Sequence, residues 1–300
     1  MVTKSSLMTL MLCIWQKSPK PKKEALMTID TFADERDFKL LEQDRFTFFV
    51  LKRVLALPCE LILSDHERLI ICLSSNPFPV WIWTADDATP QEMEKAFQLM
   101  KEKGYLDGSH TFNMKYELAE FFIKKTAVEN SVDPDLPKFS IKKNMFAYDN
   151  PKPHLPASST SIDGKLWQCQ STDLEELFEM TCDFHKETNV PMSNKDEARA
   201  KIEQGIKDGL YYFWKNTEGK NVGCCIYRPN GDLASLGAVY TRPEYRRRHY
   251  AENFVYQVTK IAQDKGYLPM LYTDADYTAS NACYEKIGYI LRGKLCTIGI

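Results

Sequence analysis

The sequence has no apolar run long enough to cross a membrane. Residues 7–15 (LMTLMLCIW) form an apolar stretch near its start, well short of the about 20 residues a spanning helix needs. It lacks a charge excess of either sign. Its 39 Lys and Arg stand against 41 Asp and Glu, a net charge of -2, so electrostatics gives no case for nucleic acid as the main partner. It lacks paired cysteines. Cys13, Cys59, Cys72, Cys169, Cys182, Cys224, Cys225, Cys283 and Cys296 contain no CxxC, which argues against a zinc site. An odd, scattered set favours a reducing cytosol, with many of the thiols sitting in apolar runs as small hydrophobes. The first half has no Gly-rich phosphate loop, metal cluster or catalytic triad, and no clear internal repeat is visible. What is present, 44% apolar and 27% charged residues over 300 positions, is the composition of a folded soluble protein of one large or two ordinary domains.

In chain order, residues 1–26 differ from the rest. Their basic run at 17–23 follows the apolar part, the reverse of a secretory signal. The segment reads as a disordered leader or an upstream start before Met27, with a membrane-surface anchor as the alternative. A first α/β domain of unassigned role is expected over 27–148. It has early helices around Phe38 to Leu51, strands at 61–63, 69–73 and 78–84, a helix opened by the capping box Thr89-Pro90-Gln91-Glu92, a further helix at 115–125 and a last strand at 140–148. Trp81 and Trp83 alternate on one strand face and read as packing residues; His66 and His110 read as polar turn residues. Residues 149–164 (DNPKPHLPASSTSIDG) read as a linker, with His154 solvated.

A second domain is expected over 165–300. A strand at 166–169 leads to a helix capped by Ser171 or Thr172 and a helix at 194–207 closed by Gly209. Strands at 210–214 and 222–227 follow, then a hairpin turn at 228–232. The stretch LGAVYTRPEYRRRHYA, residues 236–251, is the most informative. It begins as a strand that Pro243 stops, passes through Arg246, Arg247, Arg248 and His249, and opens a helix with Ala251, Phe254, Val255 and Val258 at helical spacing. Unpaired N–H groups at a helix start, beside arginines, make an anion site. After Gly266 come a strand at 269–274, a short helix at 277–286 capped by Thr278 or Ser280, and closing strands at 289–300.

The stretch 246–251 resembles the acyl-CoA-binding motif of the GNAT superfamily of N-acyltransferases: Gln or Arg, two residues, Gly, one residue, then Gly or Ala. His249 stands where the family has Gly, which permits close approach and positive φ; His tolerates positive φ better than a β-branched residue does. A second segment, TDADYTASNACYEKIGY at 273–289, resembles the family's Asn-x-x-Tyr-x-Lys-x-Gly-Phe, with Asn281, Tyr284, Lys286, Gly288 and Tyr289 in place. Asn281 and Tyr284 share a helix face. The two motifs cover roughly the last 65 residues.

The resemblance implies an α/β (α+β) fold, a mixed and mostly antiparallel sheet flanked by helices, with the first domain compatible with a degenerate copy of the second. It implies acetyl-CoA as cosubstrate, no metal, and direct transfer of acetyl to a primary amine in a ternary complex. Cofactor contacts are then expected at Val239, Tyr240, Thr241, Arg246, Arg247, Arg248, His249, Tyr250, Ala251, Asn281 and Tyr284. Tyr284 is the expected general acid. Glu244 is the chosen base, with Asp274, Asp276 and His185 as alternatives, and no base can be paired with Cys283 from sequence. A cytoplasmic protein with no membrane or nucleic-acid partner is expected, a homodimer is left open, and the alternative function is a non-catalytic acyl-CoA-binding or interaction protein.

Overall fold

The computed structural model describes residues 28–159, 161–192 and 194–300; the expectations for 1–26 lie outside them. In the first half, α1 (Glu35–Gln43) opens on a capping box of Asp34 and Asp37. There follow α2 (Phe49–Leu55), β1 (Leu61–Ser64), β2 (Leu69–Leu73), β3 (Val80–Thr84) and α3 (Pro90–Glu102), the last on the expected Thr89/Glu92 capping box. β4 (Phe112–Met114), α4 (Tyr116–Val132) and β5 (Ser140–Asp149) complete it. The second half runs β6 (Lys165–Gln168), α5 (Leu174–Thr188), α6 (Lys195–Lys207), β7 (Tyr211–Lys215), β8 (Asn221–Asn230), β9 (Leu233–Thr241), α7 (Tyr250–Asp264), β10 (Leu268–Asp274), α8 (Thr278–Lys286) and β11 (Ile290–Gly299). The order of elements in this half is the expected one.

All the strands join one 11-stranded sheet in the order β1-β2-β3-β4-β11-β5-β10-β9-β8-β7-β6. Only β3–β4 and β9–β10 are parallel, each joined by a helical crossover, α3 or α7. The fold is thus mixed α/β with a mostly antiparallel sheet. β5, the last strand of the first half, sits between β10 and β11 and is antiparallel to both. β11, the last strand of the second half, lies between β5 and β4. The two halves have exchanged closing strands, and the sheet reads outward from this pair in matching order. The topology of β3–α3–β4 repeats that of β9–α7–β10, the degenerate likeness the sequence did not display as a repeat.

Alternation along the strands divides the core. One face is covered by α3 and α4 over Ile71, Ile82 and Phe112 in the first half, and by α7 and α8 over Val222, Leu236 and Tyr289 in the second. The other face carries α5 and α6 over Phe213 and Ile226, and α1 and α2 over Trp81, Trp83 and Leu295. The tryptophans are core, as read: Trp81 stacks on Tyr272 with ring centroids 6.0 Å apart. Phe49 of α2 meets the same Tyr272 at 4.3 Å, which docks the first half on β10.

Several local readings change. Strand β8 continues through Arg228 and Pro229 to Asn230, with Pro229 opposite Ala234, so the hairpin turn is only Gly231-Asp232. Ser171 and Thr172 form a 3-10 turn closed by Gln170 and Asp173 instead of capping α5, and α8 has Tyr277 at its N-cap, with no side-chain hydrogen bond there. β11 is one strand. Residues 149–164 are not solvated throughout: Asp149, Asn150 and Ser159 are buried, because Asp149 closes β5 against Arg292 Nε at 2.9 Å and Asn150 Nδ2 donates to Ile287 O at 2.8 Å. The helix expected at 115–125 extends to Val132.

The expected consequence is mutual dependence. Residues 165–300 expressed alone lose β5 and leave β10 and β11 without their shared neighbour, so they should show no cooperative thermal transition by circular dichroism, whereas the full chain shows one. A fragment melting cooperatively at the temperature of the full chain would show that β5 is dispensable.

Candidate active site

β9 and β10 are paired only at Leu268–Leu233, Pro269–Ala234 and Met270–Ser235. Beyond that point β9 stays bound to β8 as far as Thr241 and β10 stays bound to β5 as far as Asp274. The two parallel strands therefore part into a V. Along the V, β9 bulges: the register with β8 shifts between Cys224–Tyr240 and Ile226–Gly237, and Ala238 takes φ 44. Bulges of this kind re-aim backbone groups. Past the bulge the Arg242 N–H binds Val222 O on β8 at 3.0 Å, so by strand alternation Tyr240 faces β8 as well. The N–H and C=O groups of Val239 and Thr241 face the V.

The Pro243–Tyr245 3-10 turn then leads to α7. Arg247 and His249 both adopt φ 60, the left-handed region that Gly favours, and His249 is the N-cap of α7 with no side-chain hydrogen bond closing the helix start. Its N-terminal N–H groups are thus left for another partner. The His249 side chain turns back on the helix, where Nδ1 meets Glu252 Oε2 at 3.0 Å. Glu252 is buried and also holds Ser159 Oγ and Lys286 Nζ. Its carboxyl lies below the usual range because these hydrogen bonds outweigh its burial. Sequence reading missed Glu252, although its i+3 spacing from His249 was a signal.

The arginines divide. Arg247 and Arg248 are exposed, and Arg248 lies over the Tyr245 ring at 5.9 Å. Arg246, expected at the phosphates, is engaged elsewhere: Nε donates to Thr241 O at 2.8 Å, and Nη2 forks onto Glu187 at 2.8 and 2.7 Å. It bolts the loop to the end of α5. Glu187 lies 59 residues away, so nothing local announced it. Tyr250 and Ala251 open α7, with Tyr250 OH donating to Asp163 Oδ1 at 2.5 Å.

On the α8 side, Tyr284 is buried beside Tyr289, ring centroids 5.8 Å apart. Burial, the largest cause, holds its hydroxyl well above the ordinary phenol range. Asn281 donates from Nδ2 to Asp274 O and Ala275 O at 3.2 and 3.0 Å, while its buried Oδ1 has no partner. An orphaned buried acceptor at the mouth of the V suits an amide donor of a ligand. Cys283 is half-buried and its thiol is pushed up to about 12, chiefly by burial.

At the far end of β9 a cleft of about 500 Å³ is lined by Asp183, Lys186 and Glu187 of α5 and by Tyr240, Arg242, Pro243 and Glu244. Glu244 is therefore at this cleft, and Arg242 is held there by Glu176 at 2.8 Å. The alternative bases are not among its lining residues. His185 Nδ1 is occupied by Val190 O at 3.0 Å, and Asp276 accepts from Asn144 Nδ2 at 3.0 Å, its own N–H bound to Asp274 Oδ1. His110 stays at a turn with Asp107. His66, in contrast, is buried. It bridges Asp37 at 2.7 Å and Asp30 at 3.1 Å, and Asp34, Asp37 and His66 bring ligand-type atoms within 4.8 Å of one another. That group lies in the first half, away from the V, and its members satisfy each other.

Comparison with known proteins assigns the class. Residues 174–289 match the model of the Acetyltransferase (GNAT) family, so the second half of the chain carries a GNAT-family acetyltransferase domain. The fold extends over both halves. A GCN5-related N-acetyltransferase from Sphaerobacter thermophilus is similar at TM-score 0.59 and 12% identity, covering 90% of this chain and 94% of that one. A Drosophila protein matches at 0.59 and 12%, over 91% and 98%. A GNAT-family acetyltransferase from Colwellia psychrerythraea matches at 0.53 and 11%, over 91% and 98%. No curated protein matches the sequence. Among the described residues no helix is long and apolar enough to cross a membrane. The family supports acyl transfer from acetyl-CoA.

A thiol held at about 12 has almost no thiolate at neutral pH. Cys283→Ser should therefore retain turnover within about twofold, and intact-mass spectrometry after acetyl-CoA alone should find no acetylated enzyme. An acetyl adduct on Cys283 would establish a covalent route instead.

Proposed function

We propose that the protein is a cytoplasmic N-acetyltransferase that moves acetyl from acetyl-CoA to a primary amine by direct transfer in a ternary complex. The observation that carries this reading is the V between β9 and β10, with a bulge on one arm and an uncapped helix start at its mouth. The pyrophosphate binds the free N–H groups of residues 247–251, with Arg247 and Arg248 adding charge. The pantetheine lies along Val239 to Thr241, its amide donating to Asn281 Oδ1. The Val239 N–H, aimed into the V, polarises the thioester carbonyl. Glu244, through water, takes the proton of the incoming ammonium. The amine nitrogen bonds to the acetyl carbon, the C–S bond breaks, Tyr284 gives its proton to the departing thiolate, and the second proton that the nitrogen sheds as the amide forms returns through water to the Tyr284 oxygen. Free cysteines among the described residues are in keeping with a reducing compartment.

Burial keeps Tyr284 protonated, the state a donor needs, and also makes it a weaker acid. Tyr284→Phe should thus lower kcat toward the lower end of the range for general acids, by about 10- to 100-fold, and leave acetyl-CoA affinity within about twofold, since the ring still packs on Tyr289. The assay is thiol release with an amine panel, alongside calorimetric CoA binding. CoA binding with no turnover on any amine would leave an acyl-CoA-binding protein; an unchanged kcat with chemistry rate-limiting would remove Tyr284 from the mechanism.

The same assay tests the loop. His249→Gly should bind CoA as well or more tightly, because a phosphate approaches the loop backbone more closely where no side chain stands, and Gly keeps the left-handed φ of 60 without strain. A tenfold loss would assign a direct ligand contact to the imidazole.

A further inference from the structure

The first half contributes a side chain to the vertex of the V that the proposed reaction leaves unused. Arg53, in the last turn of α2, is half-buried and donates from Nη1 to Ser235 Oγ at 3.1 Å. Ser235 belongs to the last β9–β10 pair before the strands part, and Arg228 lies directly opposite it on β8. Opposed residues share a face, so a second guanidinium stands beside the first. It presses on Gly237, where an added Cβ would come within 3.0 Å of Arg228 Nη1. The Tyr211 hydroxyl is the neutral neighbour of Arg228.

No carboxylate of the described residues pairs with either arginine; the nearby acids are engaged. Asp232 holds Arg45, Asp44 holds Lys115, and Glu176 holds Arg242. Burial, and then the Arg228 charge, pull the Arg53 guanidinium down to about 10. Two like charges brought out of water together destabilise the fold. Arrangements that break local rules in this way concentrate at functional sites. A pair of guanidinium forks without an acid matches a planar anion that accepts from both.

We propose that Arg53 and Arg228 bind a carboxylate on the acceptor, so that the substrate is a small amino acid whose amine points to the β9 bulge. This rests on the reading of the bulge as the point of acyl transfer. Gly237 lies beside the Arg228 guanidinium, and Val239 presents the N–H toward the thioester. Two residues of strand separate them by about 7 Å, a gap that a small amino carboxylate bridges. The site exists only because α2 of the first half is docked on β10, so the acceptor would be recognised by both halves together.

The test uses the full-length protein with acetyl-CoA and acceptors matched in size: alanine and β-alanine, alaninamide without the anion, and taurine and O-phosphoethanolamine as sulfonate and phosphate arms. The expected result is kcat/KM about 100-fold higher for one of the amino acids than for alaninamide, because an acceptor lacking the anion leaves both half-buried charges unpaired. Arg53→Gln and Arg228→Gln should each raise the KM for the amino acid at least about tenfold and abolish the preference over the amide, with CoA affinity unchanged. Neither substitution should lower Tm, since each removes a like-charge repulsion; a fall in Tm with loss of CoA binding would mark the arginines as structural and overturn the proposal. Acetylation of alaninamide as readily as of the amino acids would sink the carboxylate site while leaving the acetyltransferase reading intact, and preference for taurine or O-phosphoethanolamine would replace the carboxylate with another anion. If no amine is acetylated, calorimetry of alanine and β-alanine on the CoA-loaded protein decides: binding lost in Arg53→Gln keeps the anion site, and no binding removes it.

Discussion

The placement of β5 between β10 and β11 is the constraint on which the rest of the molecule depends. A V can open between two parallel strands only if each arm is held by some other neighbour. Here β9 is held by β8, a strand of its own half, and β10 is held by β5, a strand of the other. The same docking brings Phe49 onto Tyr272 and lays α2 across the vertex. The cleft is therefore a property of the whole sheet, although the sequence motifs associated with it lie in the last third of the chain.

The sheet contains two equivalent strand–helix–strand crossovers, and electrostatics separates them. The start of α3 is capped by its own side chains: Thr89 accepts from the Glu92 N–H and Glu92 from the Thr89 N–H, and Asp86 and Asp87 stand before it, pairing with Lys115 and Arg68. An anionic ligand there meets negative charge and a helix start already capped. The start of α7 has no side-chain cap and three arginines ahead of it. The likeness in topology and the contrast in charge together explain why one end of the sheet carries the candidate site.

Much of the second half was legible in the sequence because its signals are local. Helical spacing in α7, the turn glycines Gly209 and Gly266 at positive φ, and Pro243 after β9 each act within a few residues. The left-handed conformation of His249 could be anticipated from its position in the loop. What was not legible depends on partners distant in sequence. The three residues of β4 carry no period of their own. The pairing of Arg246 with Glu187 could not be anticipated because Glu187 comes from another helix, and Arg53 lay inside an ordinary apolar helix until the fold set it beside Arg228. The exchange of β5 and β11 was invisible because alternation specifies a strand's faces and leaves its neighbours open.

The exchange also sets an order of events during synthesis. β4 is bound on one side by β3 and on the other by β11, and β11 is made some 175 residues later than β4. As the chain leaves the ribosome, the first half carries an open edge at β4 for more than half of translation. An unpaired edge is a template for other chains, and domains that fold as they emerge are exposed to that hazard for as long as the edge is bare. The brevity of β4 limits it, since three residues offer few ladder bonds to a stranger. The last strand to appear is the one that seals both halves.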